Sequence, residues 1–334
     1  MKINTRRAGI ALTALLFGTA LLSGCATAGQ TAAGAGTTAK QTAKNTNSTA
    51  FPLVIRDDTG RKVVIPHKPT RIISLTLGTD EILTALVPLS EIVGVDYNAT
   101  QPIWSHITGL VEQHHLRVLG SSTGEPSAEE LVKLHPNLVL AADYDSPKLI
   151  QQLTHLGVPV YEFTSFNSIG SIESHILTIG RMVGYEPQAQ AIVHDMQQEL
   201  ATLKKTAPKK KLTVLYYTSY QNTISIAGAN TTGNSIINAA GGVNVAAGLS
   251  GWATVSAEKV LALNPDVIII PNDSGNQQLQ LKQFLGNPVF KSLRAVKNHH
   301  VYTASDGNLS AVSQYIVLGV QDVQNMLINA SKTK

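Results

Sequence analysis

The sequence predicts an α/β protein of two similar lobes, each a mostly parallel sheet flanked by helices, joined by one long rigid helix. Three observations carry that prediction. Helical and strand patterns alternate along most of the 334 residues, the arrangement from which parallel sheets are built. One segment occurs twice: residues 126–142 read PSAEELVKLHPNLVLAA and residues 255–271 read VSAEKVLALNPDVIIIP. Between the copies, residues 168–206 hold helical periodicity and no strand pattern. The length suffices for two hydrophobic cores.

The repeat matches residue by residue. Ser127 falls on Ser256, Ala128 on Ala257, Glu129 on Glu258, Leu134 on Leu263 and Pro136 on Pro265. Each copy starts with a serine suited to cap a helix and runs for about two turns with apolar residues at helical spacing. A proline then stops it. Short apolar runs follow at 138–140 and 267–270, the pattern of fully buried parallel strands. Two copies this far apart indicate a domain-scale duplication rather than a solenoid.

Residues 1–24 form a secretion signal: Lys2, Arg6 and Arg7 precede an apolar stretch at 8–22, which is short for a membrane span. It ends in Leu22-Ser23-Gly24-Cys25, which holds the single cysteine and resembles a bacterial lipobox. That resemblance implies cleavage before Cys25 and lipid on its thiol; an ordinary signal peptide with a leftover cysteine is the alternative. A lone cysteine makes no internal disulfide. Residues 25–50 are the lipidated cysteine and a polar, aperiodic tether. Without the three basic residues of the signal, 23 basic face 22 acidic residues, so the charge gives no support for nucleic-acid binding.

Residues 51–167 are the expected N-terminal lobe. A hairpin at 53–56 and 62–65 turns at Asp58-Thr59-Gly60. A strand at 71–75 leads through a loop at 76–78 into a helix capped by Thr79, with Asp80 and Glu81 complementing its dipole. A strand at 92–95 follows, then a polar, irregular stretch at 96–124, the first repeat, a helix from Ser146-Pro147 to His155, and a strand at 158–163. Residues 168–210 connect the lobes through helices at 169–182 and, after a turn at 184–187, to about 203. Residues 211–334 form the second lobe, with strands at 212–217 and 301–303, the second repeat, a helix near 277–285 and a last helix from 310 to 328.

On these residues the chain resembles the substrate-binding proteins of bacterial ABC importers for ferric siderophores, haem and vitamin B12, of the helical-backbone type. TRIISLTLGTDEILTAL (70–86) with EIVGV (91–95), the two repeats, TTGNSIINAAGGVNVAA (231–247) and the helical bridge carry the likeness over about residues 51–330. It implies that Glu129 and Glu258 dock onto arginines of the permease dimer, one per lobe. A plain dipole-complementing acid is the alternative for each, and Ser127 with Glu130 has the pattern of a capping box, which leaves Glu129 free.

The resemblance also places a ligand between the lobes, against loops leaving the strands' carboxyl ends. The candidates by position are Thr76, Tyr97, Trp104, Tyr144, Tyr217, Tyr220, Trp252 and Asp306. Flat amphipathic rings suit a large planar or chelate ligand, and the six residues from Trp252 to Glu258 resemble the spacing in cobalamin-binding members. Packing under loops is the other role open to each. Two features depart from the family: the stretch after Val95 lacks its proline-rich pattern, and Asn137 stands where an acid is usual.

No Gly-x-Gly-x-x-Gly, Walker loop, Gly-x-Ser-x-Gly or His-Glu-x-x-His occurs. An enzyme using Glu129 and Glu258 as paired carboxylates is disfavoured by their symmetric placement in separate lobes. A zinc or manganese receptor would draw on the ten histidines, but these fall in polar or helical contexts. Haem, with Tyr97 or a histidine as axial ligand, is the closer alternative. The expectation is therefore a monomeric, lipid-anchored protein of the extracytoplasmic face. It has no cofactor or protein metal site of its own, carries a metal chelate (ferric siderophore or cobalamin), and delivers it to a permease and its ATPase.

Overall fold

The chain opens with a hairpin. A computed structural model describes residues 50–221, 223–272 and 277–332; the signal segment, Cys25 and the tether to residue 49 lie outside the described residues. Strands β1 (Leu53–Arg56) and β2 (Lys62–Ile65) pair antiparallel. The Asp57 carboxylate closes their turn, accepting from the Arg61 amide, the Thr59 hydroxyl and the Arg61 guanidinium.

The first sheet holds β3 (Ile72–Ser74), β4 (Ile92–Asp96), β5 (Val118–Leu119), β6 (Leu138–Ala142) and β7 (Val160–Phe163), all parallel, in the order β5-β4-β3-β6-β7. Helices α1 (Leu77–Leu86), α2 (Thr108–Gln113), α3 (Ala128–Val132) and α4 (Pro147–His155) lie between them. Because the winding reverses between β3 and β6, a crevice opens beyond their carboxyl ends. The bridge follows as α5 (Ile169–Val183) and α6 (Glu186–Thr206), which pack on each other. Gly184 in the left-handed region ends α5, and Pro187 sits in the first turn of α6 rather than in the turn before it.

The second sheet contains β8 (Thr213–Tyr220), β9 (Thr223–Ala227), β10 (Val243–Asn244), β11 (Trp252–Val255), β12 (Val267–Asn272) and β13 (Val301–Ser305). Its order is β11-β9-β8-β12-β13, with β10 beside the first half of β8. The β10, β8, β12 and β13 contacts are parallel, while β9 and β11 form an antiparallel edge. Helices α7 (Thr232–Ala239), α8 (Ala257–Leu263), α9 (Gln277–Gly286), α10 (Arg294–Lys297), α11 (Asp306–Leu309) and α12 (Ile316–Lys332) complete this lobe.

The duplicated segment folds the same way twice. Ser127 caps α3 and Ser256 caps α8 through their hydroxyls. Both helices stop before Pro136 and Pro265 and lead into the buried strands β6 and β12. Arg71 donates to the carbonyls of Leu134 and His135 beyond α3, as Arg294 does to that of Asn264 beyond α8. The Asn137 side-chain oxygen accepts the amides of Thr70 and Arg71, and the Asp266 carboxylate accepts the amide and hydroxyl of Thr213. Asn137 thus does the work of the acid it replaces, since either side chain supplies the acceptor that the neighbouring strand's first amide needs.

Three local expectations are corrected. The stretch 96–124 contains α2 and β5, both too short for periodicity to reveal. The last helix starts at Ile316 rather than at 310. The helix after β3 is capped by Thr76, not Thr79, so 76–78 are its cap and first turn, and Asp80 and Glu81 are buried. Thr76 is as able a cap as Thr79, and the Thr79 hydroxyl pairs with those of Ser74 (2.6 Å) and Thr76 (2.8 Å).

Glu81 lies at the junction of the lobes. Its Oε1 accepts from the His106 amide (2.9 Å) and faces His106 Nδ1 (3.0 Å), and its Oε2 accepts from Ser313 Oγ (2.5 Å). The Glu81 carbonyl accepts from Gln314 Nε2 at 2.8 Å. His106 Nε2 faces Asn308 Oδ1 at 2.9 Å, and the Asn308 amide is oriented by donating to Asp322. Both ring nitrogens therefore face acceptors. Burial alone would lower the His106 pKa, but the Glu81 and Asn308 hydrogen bonds and the Glu81 charge outweigh it and raise it. Tyr315 stacks on the His106 ring, 4.3 Å between centroids. Backbones also approach closely here: a Cβ on Gly78 would stand 2.6 Å from Val312, and one on Gly307 2.7 Å from the Trp104 carbonyl.

Removing the Glu81 carboxylate strands the His106 ring and amide and the Ser313 hydroxyl. Glu81→Ala is expected to lower the unfolding free energy in urea by about 3–5 kcal/mol. A loss below about 1 kcal/mol would show that the junction does not depend on this group.

Candidate functional site

A cavity of about 580 Å³ opens where the first sheet's winding reverses. Leu75 to Gly78 reach it from the end of β3, Asp96 and Asn98 from β4, Leu119 to Ser121 and Gly124 to Pro126 from β5, and Tyr144 and Asp145 from β6. Ser310 and Val312 close it from the second lobe, and Trp104 lies along its wall. The indole Nε1 donates to Asp306 Oδ2 at 3.0 Å, so Trp104 and Asp306 meet across the lobes. Thr76 and Tyr144 interact through their side chains. The exposed rings of Tyr144 and Trp104 give this wall flat apolar surfaces with polar ends.

A second cavity, of about 780 Å³, lies in the second lobe beyond β8 and β12. Tyr217 lines it, edge-on to Phe284 (4.9 Å) and Phe290 (5.9 Å). Burial raises the Tyr217 phenol above its ordinary value. Gln283, Asn287 and Glu258 add polar lining.

Of the eight sequence-derived ligand candidates, Thr76, Trp104 and Tyr144 share the junction cavity, with Asp306 hydrogen-bonded to one of them, and Tyr217 lines the other. Tyr97, Tyr220 and Trp252 line neither. Tyr97 is half-buried on a single 3₁₀ turn whose neighbours Asp96 and Asn98 take the cavity positions. Tyr220 is exposed at the end of β8, and Trp252 lies on the edge strand β11, edge-on to Tyr216 at 5.1 Å. Asp145 and Glu125 were missed, although Asp145 shares the loop that gave Tyr144.

Glu129 and Glu258 are both exposed in the first turns of α3 and α8. The capping box is present, with Glu130 Oε2 accepting from the Ser127 amide at 2.8 Å. Glu130 is therefore the structural acid in the first copy. In the second, Lys259 stands at the box position and donates only its amide to Ser256, and hydrogen bonds with Ser256 and the backbone hold the Glu258 pKa below the ordinary value. The histidines have other occupations, such as His175 against Asp58 at 3.2 Å and His300 against the Asp266 carbonyl. Among the described residues no three histidine, cysteine or carboxylate side chains converge as a metal site, and no helix is long and apolar enough to cross a membrane.

The family model described as periplasmic binding protein matches residues 72–306, a span that takes in both sheets. The chain belongs to the periplasmic binding protein family. It is 28% identical over 325 residues to the uncharacterized ABC transporter substrate-binding lipoprotein YvrC of Bacillus subtilis (strain 168), covering 95% of this chain and 96% of that one. It is 27% identical over 227 residues to a cobalamin-binding protein of Halobacterium salinarum (strain ATCC 29341 / DSM 671 / R1), covering 66% and 58%. A possible iron-binding (periplasmic solute-binding) protein from Staphylococcus epidermidis ATCC 12228 superposes with a TM-score of 0.68 at 25% identity, over 78% of this chain and 99% of that one. The apo periplasmic haem-binding protein RhuT from Roseiflexus sp. RS-1 shares the fold, with a TM-score of 0.66 at 23% identity over 78% and 99%. The family resemblance and the two-lobed α/β class expected from the sequence are thus borne out.

Within this member of the family, Asp145 gives the junction cavity a pH signature. Burial pushes its carboxyl up to about 7; the Ala142 amide opposes the shift, and the carboxylates of Glu125, Asp96 and Glu162 add to it. A raised acid pKa means that the folded state holds the proton longer than the unfolded chain, whose aspartates titrate near ~3.9. Stability therefore falls as pH rises from about 4 to about 7, by at most about 4 kcal/mol from this group. Asp145→Asn is expected to raise Tm relative to wild type at pH 8 far more than at pH 4. An equal difference at both pH values would contradict the assignment.

Proposed function

We propose that this chain is the lipid-anchored, extracytoplasmic substrate-binding protein of an ABC importer, which captures an iron–siderophore or cobalamin-type metal chelate and hands it to the permease. The observation that carries this reading is the junction cavity, where Trp104 and Tyr144 offer flat aromatic walls at a topological switch point closed by the second lobe. Its volume is in the range of small-molecule sites. The similarity to an ABC transporter substrate-binding lipoprotein of Bacillus and a cobalamin-binding protein of Halobacterium supports this reading. In this reading the metal stays with its chelator. Tyr97 lines neither cavity, which weighs against haem held through that residue.

Glu129 and Glu258 are the proposed contacts to the permease. They are exposed, equivalent by the duplication and one to a lobe. Carboxylates at two such points suit paired arginines. Lipid on Cys25 would hold the protein at the membrane, and residues 26–50 would give it reach.

A tryptophan-quenching titration with cobalamin, haem and a set of ferric siderophores tests the binding reading. Saturable quenching by one of them is expected, lost in large part in Trp104→Phe. No response to any chelate would overturn it. Docking is tested separately: Glu129→Ala with Glu258→Ala is expected to reduce uptake at least tenfold while the Kd for the bound chelate changes less than twofold. Loss of binding in that double variant would place the glutamates in the ligand site instead.

A further inference from the structure

The two cavities share an electrostatic feature. Among the described residues lining them, the charged side chains are Asp96, Glu125, Asp145 and Glu258; none is lysine, arginine or histidine. Asp306 adds a further carboxylate at the edge of Trp104. The protein as a whole does not lack cations, having 26 lysines and arginines. Among the described residues, Arg71 and Arg294 serve helix ends at the strands' opposite side, and Arg61 pairs with Asp57.

Asp145 is built into the junction cavity. It is only 8% exposed. Its Oδ2 accepts from the Ala142 amide at 2.7 Å. No protein group donates to Oδ1, and the side chain lines the cavity. A buried carboxylate with one oxygen turned to a ligand space is poised for a donor or a cation. An anionic ligand would meet Asp96, Glu125 and Asp145 with no compensating base, and like charges brought together in a desolvated cleft select against the wrong partner.

We infer that the cleft selects metal chelates of zero or positive net charge and excludes anionic ones. A chelate with an ammonium or amide donor would place it at Asp145 Oδ1. This rests on the chelate-binding reading above and narrows it. The complexes it admits are ferric hydroxamates, above all those with a free amine, and cobalamins; those it rejects are triply charged ferric catecholates and haem with its two carboxylates.

The test is a quenching titration of the full chain in detergent at pH ~8.5, where Asp145 is ionised, with four probes. These are cyanocobalamin (uncharged), a linear ferric trihydroxamate with a terminal amine (+1), a ferric tricatecholate (3−) and haem. Binding by one or both of the first two is expected, at least 100-fold tighter than by either anion. If the amine-bearing complex binds, Asp145→Asn should weaken it at least fivefold while leaving its N-acetylated, uncharged form within twofold. Tightest binding by the tricatecholate or haem overturns the inference and leaves the chelate-binding reading standing. An equal loss for both hydroxamates overturns the role of Asp145. No binding of any probe overturns the underlying reading and this inference with it.

Discussion

One apolar core runs through both sheets, and the position of the cleft depends on it. Leu138, Leu140 and Phe163 from the first sheet, Ile172, Ile176 and Ile179 from α5, and Val214, Tyr216 and Ile269 from the second belong to a single buried cluster. α5 contacts α1 on one side and α7 on the other. Each of its buried isoleucines contributes on the order of 1.5–3 kcal/mol by leaving water, and a hinge between the lobes would have to expose part of that surface. The bridge therefore acts as a shared wall rather than a linker. Two smaller clusters, one per lobe, sit on the outer faces of the sheets.

The polar junction around Glu81 completes what the core begins. Dispersion holds the lobes together without fixing a rotation, whereas the Glu81–His106–Asn308 and Glu81–Ser313 hydrogen bonds are directional. They bring residues 310–315 of the second lobe against the start of α1, which puts Ser310 and Val312 on the cavity wall. Packing, polar satisfaction and cleft geometry converge on one short segment. That segment was expected to be the start of the last helix.

Much of this was legible in the sequence because it rests on periodicity. The hairpin, the helix from Ser146-Pro147 and the strands of the two repeats fall where the patterns put them. The duplicated serine, glutamate and proline positions mark equivalent structure because capping and chain termination are local chemistry. Glu81 was read as an acid complementing the helix dipole because nothing local says that a histidine and a serine 25 and 232 positions away will enclose it. Asn137 looked like a departure until its partners, the amides of Thr70 and Arg71, were seen to need only an acceptor. In the cleft, aromatic residues on loops found part of the lining, Trp104, Tyr144 and Tyr217. The carboxylates between them carry no sequence period, and β11 carries Trp252 along a sheet edge that no pattern located.

The central claim is that core and junction fix the lobes in one arrangement, so that the cleft exists before ligand arrives. Pulsed electron–electron resonance on the Cys25→Ser chain, with spin labels at exposed Lys148 of α4 and Lys282 of α9, measures this directly on the ligand-free protein. A single narrow distance distribution is predicted. A broad or two-peaked distribution would mean that the lobes move as separate bodies, and the account of a pre-formed cleft would fail.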